Sequence, residues 1–140
     1  MIKKFVQGDR IQDKELFGFV GHYISSATIA KELGNPVTSE PGDIWYVAID
    51  EDDNATGFVT MRFLKSGKSS HIRFLYAGKG EHKTQASLVK EALADLEKEK
   101  VTSVYTYDKE TASLWRKFGF EKQEQAKGSY QRWEKTLQEK

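Results

Sequence analysis

The chain carries two prolines, Pro36 and Pro41, and both fall in one short stretch, Gly34-Asn35-Pro36-Val37-Thr38-Ser39-Glu40-Pro41-Gly42. Proline has a fixed φ and no N–H, so neither a helix nor a central strand runs through such a segment. The stretch is a loop, and the hydrophobic period changes across it. Before it, Leu16, Val20, Tyr23, Ala27 and Ala30 recur in steps of four and three, with Phe17 and Ile24 beside them, which marks one face of a helix. After it come short apolar runs divided by turns. At 140 residues a single core is expected, so the loop separates a helix from a sheet inside one domain, residues 1–140.

The helix is predicted over 14–33, with Asp13 as N-cap, Gly34 as stop signal and a weak point at Ser25-Ser26. A short strand over 3–7 precedes it. Beyond the loop, strands are predicted over 44–49, 56–64 and 70–76, joined by the turns Glu51-Asp52-Asp53-Asn54 and Ser66-Gly67-Lys68, as an antiparallel meander. The third strand runs into a glycine-containing loop, Ala77-Gly78-Lys79-Gly80-Glu81-His82-Lys83-Thr84. A helix follows, with Leu88, Val89, Ala92, Leu93 and Leu96 on one face, then a strand over 101–107. Asp108 can cap a further helix that holds Ala112, Leu114, Trp115 and Phe118 and stops at Gly119. Two strands close the chain, one from Phe120 and one over 129–136. The order is β-α-β-β-β-α-β-α-β-β. Two β-α-β passages call for parallel pairing and the meander for antiparallel pairing, which makes an α/β fold with a mixed sheet and helices on both faces.

Composition removes several functions. Without cysteine there is no disulfide, zinc–thiolate site or thiol catalysis. Lys and Arg number 22 against 21 Asp and Glu, so the surface as a whole attracts neither nucleic acid nor anionic membrane. The longest clear apolar run, 45–49, is far short of a membrane span. The basic start Met1-Ile2-Lys3-Lys4 is not followed by the apolar stretch of a signal peptide, and a cytoplasmic protein is expected. No His-x-x-x-His or calcium-loop spacing points to a metal.

The segment Thr111-Ala112-Ser113-Leu114-Trp115-Arg116-Lys117-Phe118-Gly119-Phe120-Glu121 resembles the A-x-x-L-Y-x-K-x-G-F segment of the GCN5-related N-acetyltransferases, the GNAT superfamily. Tyr130-Gln131-Arg132-Trp133-Glu134-Lys135-Thr136-Leu137 is similar to that family's last strand, and element order agrees over residues 44–137. The resemblance implies an acyl-CoA N-acyltransferase fold and transfer of an acetyl group from acetyl-CoA to a primary amine. It also implies that the loop before the central helix holds the cofactor's pyrophosphate, because small residues and a helix N-terminus bring backbone N–H groups to phosphate. The family pattern [Q/R]-x-x-G-x-[G/A] can be laid on Gly80, Lys83 and Gln85, or one residue on, on Glu81, Thr84 and Ala86, and is matched cleanly by neither. Lys79, His82 and Lys83 add positive charge. The backbone of Leu75, Tyr76 and Ala77 takes the place that binds the pantetheine arm and polarises the thioester carbonyl.

Acyl transfer to an amine needs a proton acceptor for the amine, a stabilised carbonyl oxygen and a proton for the leaving thiolate. Trp115 stands where many members carry the tyrosine that supplies this last proton. It would wall the thioester end of the cofactor or simply fill the core. Tyr107, at the end of the fifth strand, is the candidate replacement acid. His71, on the third strand of the meander, is the candidate base among His22, His71 and His82. Lys109 stands where members often have asparagine. Two other readings remain: a binding module that keeps the fold without activity, and a nucleic-acid protein using Lys65, Lys68, Arg73, Lys79 and Lys83. The final strands of the family often pair between subunits, so a homodimer is an expectation as well.

Overall fold

A computed structural model describes residues 1–33, 37–64, 68–78, 81–109, 114–128 and 130–137. The elements run β1 (Ile2–Val6), α1 (Arg10–Ile24), α2 (Ala27–Leu33), β2 (Ile44–Ile49), β3 (Ala55–Phe63), β4 (Ser69–Ala77), α3 (His82–Lys98), β5 (Ser103–Lys109), α4 (Leu114–Lys117), β6 (Glu121–Lys127) and β7 (Tyr130–Thr136). The predicted 14–33 helix divides at Ser25-Ser26. It also begins earlier than its sequence suggests. Asp9, not Asp13, is the N-cap and accepts from the N–H groups of Ile11 and Gln12, while Asp13 reaches back to the Gly8 N–H. Gly34, Pro36, Lys65, Lys79, Gly80 and Ala112 lie outside the described residues.

One seven-stranded sheet, ordered β1-β2-β3-β4-β5-β7-β6, carries the fold. Strands β1 to β4 form the expected antiparallel meander. Strand β7 inserts between β5 and β6, antiparallel to both, so only the first predicted β-α-β passage ends in a parallel pair, β4 with β5. Strand β2 lies in the middle of the meander and is buried at all six positions, as its unbroken apolar run implies.

The two faces of the sheet are covered differently. On one, α3 lays Leu88, Val89, Ala92, Leu93 and Leu96 on Tyr46, Met61, Ile72 and Val104, and Trp115, Phe120 and Trp133 extend this core across β5 and β7. On the other, Leu16 and Val20 of α1 pack on Phe5, Trp45, Val47 and Phe58, with Tyr23 and Tyr76 at the margin. Gly119 links α4 to β6 at φ +86, a conformation that suits glycine, and its N–H closes the turn on Arg116.

Candidate active site

Strands β4 and β5 pair only at Ser69–Ser103, Ser70–Val104 and His71–Tyr105, although β4 runs on to Ala77 and β5 to Lys109. One further link, Thr106 Oγ1 donating to the Ile72 carbonyl at 2.9 Å, closes the paired part. The next residue, Arg73, is a β-bulge: Thr60 faces Phe74 and Met61 faces Ile72, which leaves Arg73 unmatched on β3. A bulge bends its strand, and here it turns β4 away from β5. A gap opens in the middle of the sheet.

Alternation decides which backbone groups face that gap. The Phe74 N–H points toward β3, where it donates to Thr60 Oγ1, and the Gly78 N–H also turns to β3. Leu75 and Ala77 therefore turn their peptide groups to the opposite side, into the gap, where no residue of β5 pairs with them. Gly57 keeps β3 close at this point, since a Cβ there would meet the Tyr76 carbonyl oxygen at 2.6 Å.

Helix α3 starts just past the gap. Its first turn is His82, Lys83 and Thr84, so three residues read as loop belong to the helix. The N-cap Glu81 makes no side-chain cap; its carboxylate instead accepts from Thr84 Oγ1 at 3.2 Å. The first-turn N–H groups have no intrahelical acceptor, and the helix dipole makes this end positive. Lys83 and Thr84 also line a groove of about 580 Å³ between α3 and Met1, Ile2, Ala48, Ile49 and Thr56. Gln85 and Ala86, one step on, are half-buried. These features suit an extended chain bearing a diphosphate: gap-facing peptide groups for amides, and a helix N-terminus with a lysine for phosphate. The Glu81 carboxylate opposes that charge.

The face away from α3 carries a different chemistry. His71 stacks on Tyr105 with centroids 4.4 Å apart and planes 14° apart, and Tyr107 meets both rings edge-on at 6.2 and 6.1 Å. Arg132, on β7, lies 3.9 Å over the Tyr105 ring. Because β5 lies between β4 and β7, Tyr105 is sandwiched between an imidazole and a guanidinium. Burial works to lower the Arg132 pKa, but hydrogen bonding with Tyr107 and Glu134 prevails and holds it above the ordinary value. His71 and Tyr107, singled out from sequence, are thus neighbours. Tyr105 and Arg132 were missed, although Tyr105-x-Tyr107 and Arg132-x-Glu134 are alternations that put each pair on one face of its strand.

Trp115 lies on the α3 side, 2% exposed, at 5.1 Å from the Phe120 ring. Its indole N–H donates to Asp108 Oδ2 at 2.8 Å. Asp108 is part of β5 rather than a helix cap, and alternation along β5 turns it to the face opposite Tyr107. Of the described members of the basic set, Lys68 precedes β4, Arg73 is within it, and Lys83 lies in the first turn of α3. Among the described residues no cluster suits a metal ion, and no helix is long and apolar enough to cross a membrane.

No protein-family model and no curated protein sequence matches the chain. Solved structures are similar to it along its whole length. The GNAT-family acetyltransferase of Staphylococcus aureus Mu50 has a TM-score of 0.67 at 14% identity, covering 99% of this chain and 100% of the other. For the aminoglycoside 6'-N-acetyltransferase of Enterococcus faecium the values are 0.67 and 15%, covering 100% and 98%. For the catalytic domain of the Tetrahymena GCN5 histone acetyltransferase, in complex with coenzyme A, they are 0.65 and 13%, covering 99% and 93%. At such identities the likeness is one of architecture, and the architecture of this chain is that of the GCN5-related N-acetyltransferases.

Proposed function

We propose that the chain transfers an acetyl group from acetyl-CoA to a primary amine. The observation that carries this reading is the parting of β4 from β5, with the N-terminus of α3 opening beside it. Leu75 and Ala77 offer peptide groups to a pantetheine arm, and the N–H of Leu75 is the donor that would polarise the carbonyl. Lys83, Thr84 and the first-turn N–H groups of α3 would hold the diphosphate, with Gln85 and Ala86 packing beneath them. Acetyl-CoA supplies the acyl group as a thioester. In the reaction a C–N bond forms and the C–S bond breaks.

The amine enters from the α1 side. His71 is the base in this reading: an imidazole nitrogen takes the proton that the attacking amine loses. Tyr107 is the acid, and its Oη gives a proton to the departing sulfur. Arg132, hydrogen-bonded to Tyr107, stabilises the phenolate left behind. Trp115 does no proton transfer; it orients Asp108 and fills the core beneath the gap. A second reading, a non-catalytic binding module, draws on the Glu81 carboxylate at the α3 N-terminus.

A thermal melt with acetyl-CoA, free coenzyme A and ATP tests the proposal. Ligand at about 100 times its Kd adds about 2.7 kcal/mol, a rise on the order of 5–15 °C for a chain of this size. A rise with both coenzyme A forms and none with ATP is expected. No rise at millimolar ligand sinks the enzyme reading and leaves the binding module.

A further inference from the structure

Two arginines, Arg62 of β3 and Arg73 of β4, stand beside one buried carboxylate, Asp43, which directly precedes β2. Asp43 is 1% exposed. Arg62 takes both of its oxygens, Nε to Oδ1 at 2.7 Å and Nη2 to Oδ2 at 2.9 Å, and also has Glu40 at 3.3 Å. This fork-on-fork pair neutralises Arg62 and holds its pKa above the ordinary value, the Asp43 hydrogen bond being the main cause. Arg73 comes no closer to Asp43 than 3.7 Å. Among the described residues its hydrogen bonds go to neutral acceptors, the carbonyl and hydroxyl oxygens of Thr38, at 3.1 and 3.3 Å.

Arg73 is therefore the second cation on a carboxylate that is already committed. Its side chain is only 19% exposed. Burial, and then the neighbouring Arg62, push its pKa below the ordinary value against the pull of Asp43 and Glu40. A guanidinium drawn out of water and held only by a 3.7 Å ion pair to a carboxylate it shares with Arg62 keeps part of the cost of burial, which an incoming anion relieves. Its position sets where that anion would lie. Arg73 is the bulge residue, the first on β4 beyond the Thr106–Ile72 link, at the mouth of the gap. Its side chain is on the face of His71 and Tyr107, as its contacts with Asp43 and Thr38 require.

We infer that the acceptor is a small amine that also carries an oxyanion, a carboxylate or a phosphate, and that Arg73 binds this group while the amine faces His71. The inference rests on the acetyltransferase reading and adds its substrate class. One half-buried guanidinium fits one anionic group rather than a track of backbone phosphates, and a cation at the entrance repels polyamines.

The test uses the full chain loaded with coenzyme A, and first checks that coenzyme A raises its melting temperature. If it does not, the acetyltransferase reading fails and takes the acceptor class with it. If it does, equilibrium binding to the coenzyme A-loaded chain and acetyl transfer from added acetyl-CoA are measured with glycine and β-alanine, with 2-aminoethyl phosphate, with glycinamide as the uncharged partner, and with spermidine. A preference of roughly 10- to 100-fold for an oxyanion-bearing amine over glycinamide is expected, read in Kd and KM rather than kcat. The glycine and 2-aminoethyl phosphate arms tell carboxylate from phosphate. The preference should vanish in Arg73→Gln, survive in part in Arg73→Lys, and persist in Thr38→Val, which loses the hydroxyl contact and keeps the carbonyl one. Equal affinity for acid and amide, a preference that survives Arg73→Gln, tighter binding of spermidine, or steeply salt-dependent binding of single-stranded DNA each overturns the inference.

Discussion

The two faces of the sheet at the β4–β5 gap are built from the same strands and share almost nothing in chemistry. Toward α3, Ile72, Val104, Trp115 and Trp133 make an apolar core in which Thr106 and Asp108 are hydrogen-bonded polar members. Toward α1, the intervening residues His71, Tyr105 and Tyr107 meet Arg132 and Glu134 in a half-buried polar cluster, and Arg73 stands on the same face with Asp43 and Thr38 as its partners. Strand alternation is the cause: a period of two sends every second side chain to the opposite face. One face can therefore hold the strands in place while the other bears reactive groups. The contrast predicts that substitutions on the α3 face act on stability and those on the α1 face on activity.

Trp115→Ala should have the largest effect. It empties a fully buried aromatic site and removes the indole N–H that Asp108 accepts, costing about 3–5 kcal/mol, and the loss should appear as a lowered denaturation midpoint. Its counterpart, Tyr107→Phe, removes one hydroxyl from a half-buried position. Stability should change by about 1 kcal/mol or less, while kcat falls by about a hundredfold or more if Tyr107 is the acid. A Tyr107→Phe variant that unfolds as easily as Trp115→Ala would break the division between the faces.

Gly57→Ala tests the join between them. The new Cβ would meet backbone atoms of Tyr76 and Ala77 at 2.6 and 3.2 Å, so β3 and β4 would have to part. A cost of about 1–3 kcal/mol is expected, together with weaker coenzyme A binding, because the Leu75 and Ala77 peptide groups move with the strand.

Much of this architecture was legible in the chain, and the limits were physical. Periods of 3.6 and 2 revealed each helix and strand, and Gly119 marked the turn into β6. The insertion of β7 between β5 and β6 was not legible, because local patterning carries no information on which strand lies beside which. Local patterning hid the gap for the same reason, since it depends on one unpaired residue, Arg73, in a strand whose pattern looks continuous; only the family resemblance, which sets Tyr107 beside the parting of two central strands, pointed to it. Individual site residues such as His71 and Tyr107 were legible by type and position. Their partners were not, since the Tyr105 sandwich and the Arg62–Asp43 pair join residues from separate elements. Asp108 misled because a carboxylate before a helix reads as a cap, and here it serves an indole N–H.

Away from the gap, Asp95 ties α3 to β1 and β2. It pairs with Lys4 at 2.6 Å and accepts from the Tyr46 hydroxyl. Burial alone would raise the Asp95 carboxyl, but these hydrogen bonds overcome it and hold its pKa below the usual value. Its contribution is therefore present above the ordinary carboxylate range and is lost as pH falls through the lower folded value. Burial and Asp95 raise the Tyr46 pKa, so that contribution holds below the unfolded tyrosine value and is lost at more alkaline pH. Asp95→Asn should cost about 1 kcal/mol at pH 7. The difference from the parent chain, followed by urea denaturation, should shrink toward pH 3. A constant difference would mean that packing, not charge, is what Asp95 supplies.

The smallest effect is the most discriminating, because two of its readouts move in opposite directions. Glu81 places a negative charge at the positive end of α3, which favours the helix. It also stands where a diphosphate is proposed to bind, which disfavours the ligand. Glu81→Gln keeps the shape and the Thr84 hydrogen bond while removing the charge. The melting temperature of the free chain should fall slightly. Affinity for coenzyme A should rise by roughly two- to fivefold at low salt, and the gain should fade as ionic strength rises. Affinity that falls along with stability would mean that Glu81 is part of the ligand's own hydrogen-bonding set, and the α3 N-terminus would then not be a phosphate site of the proposed kind.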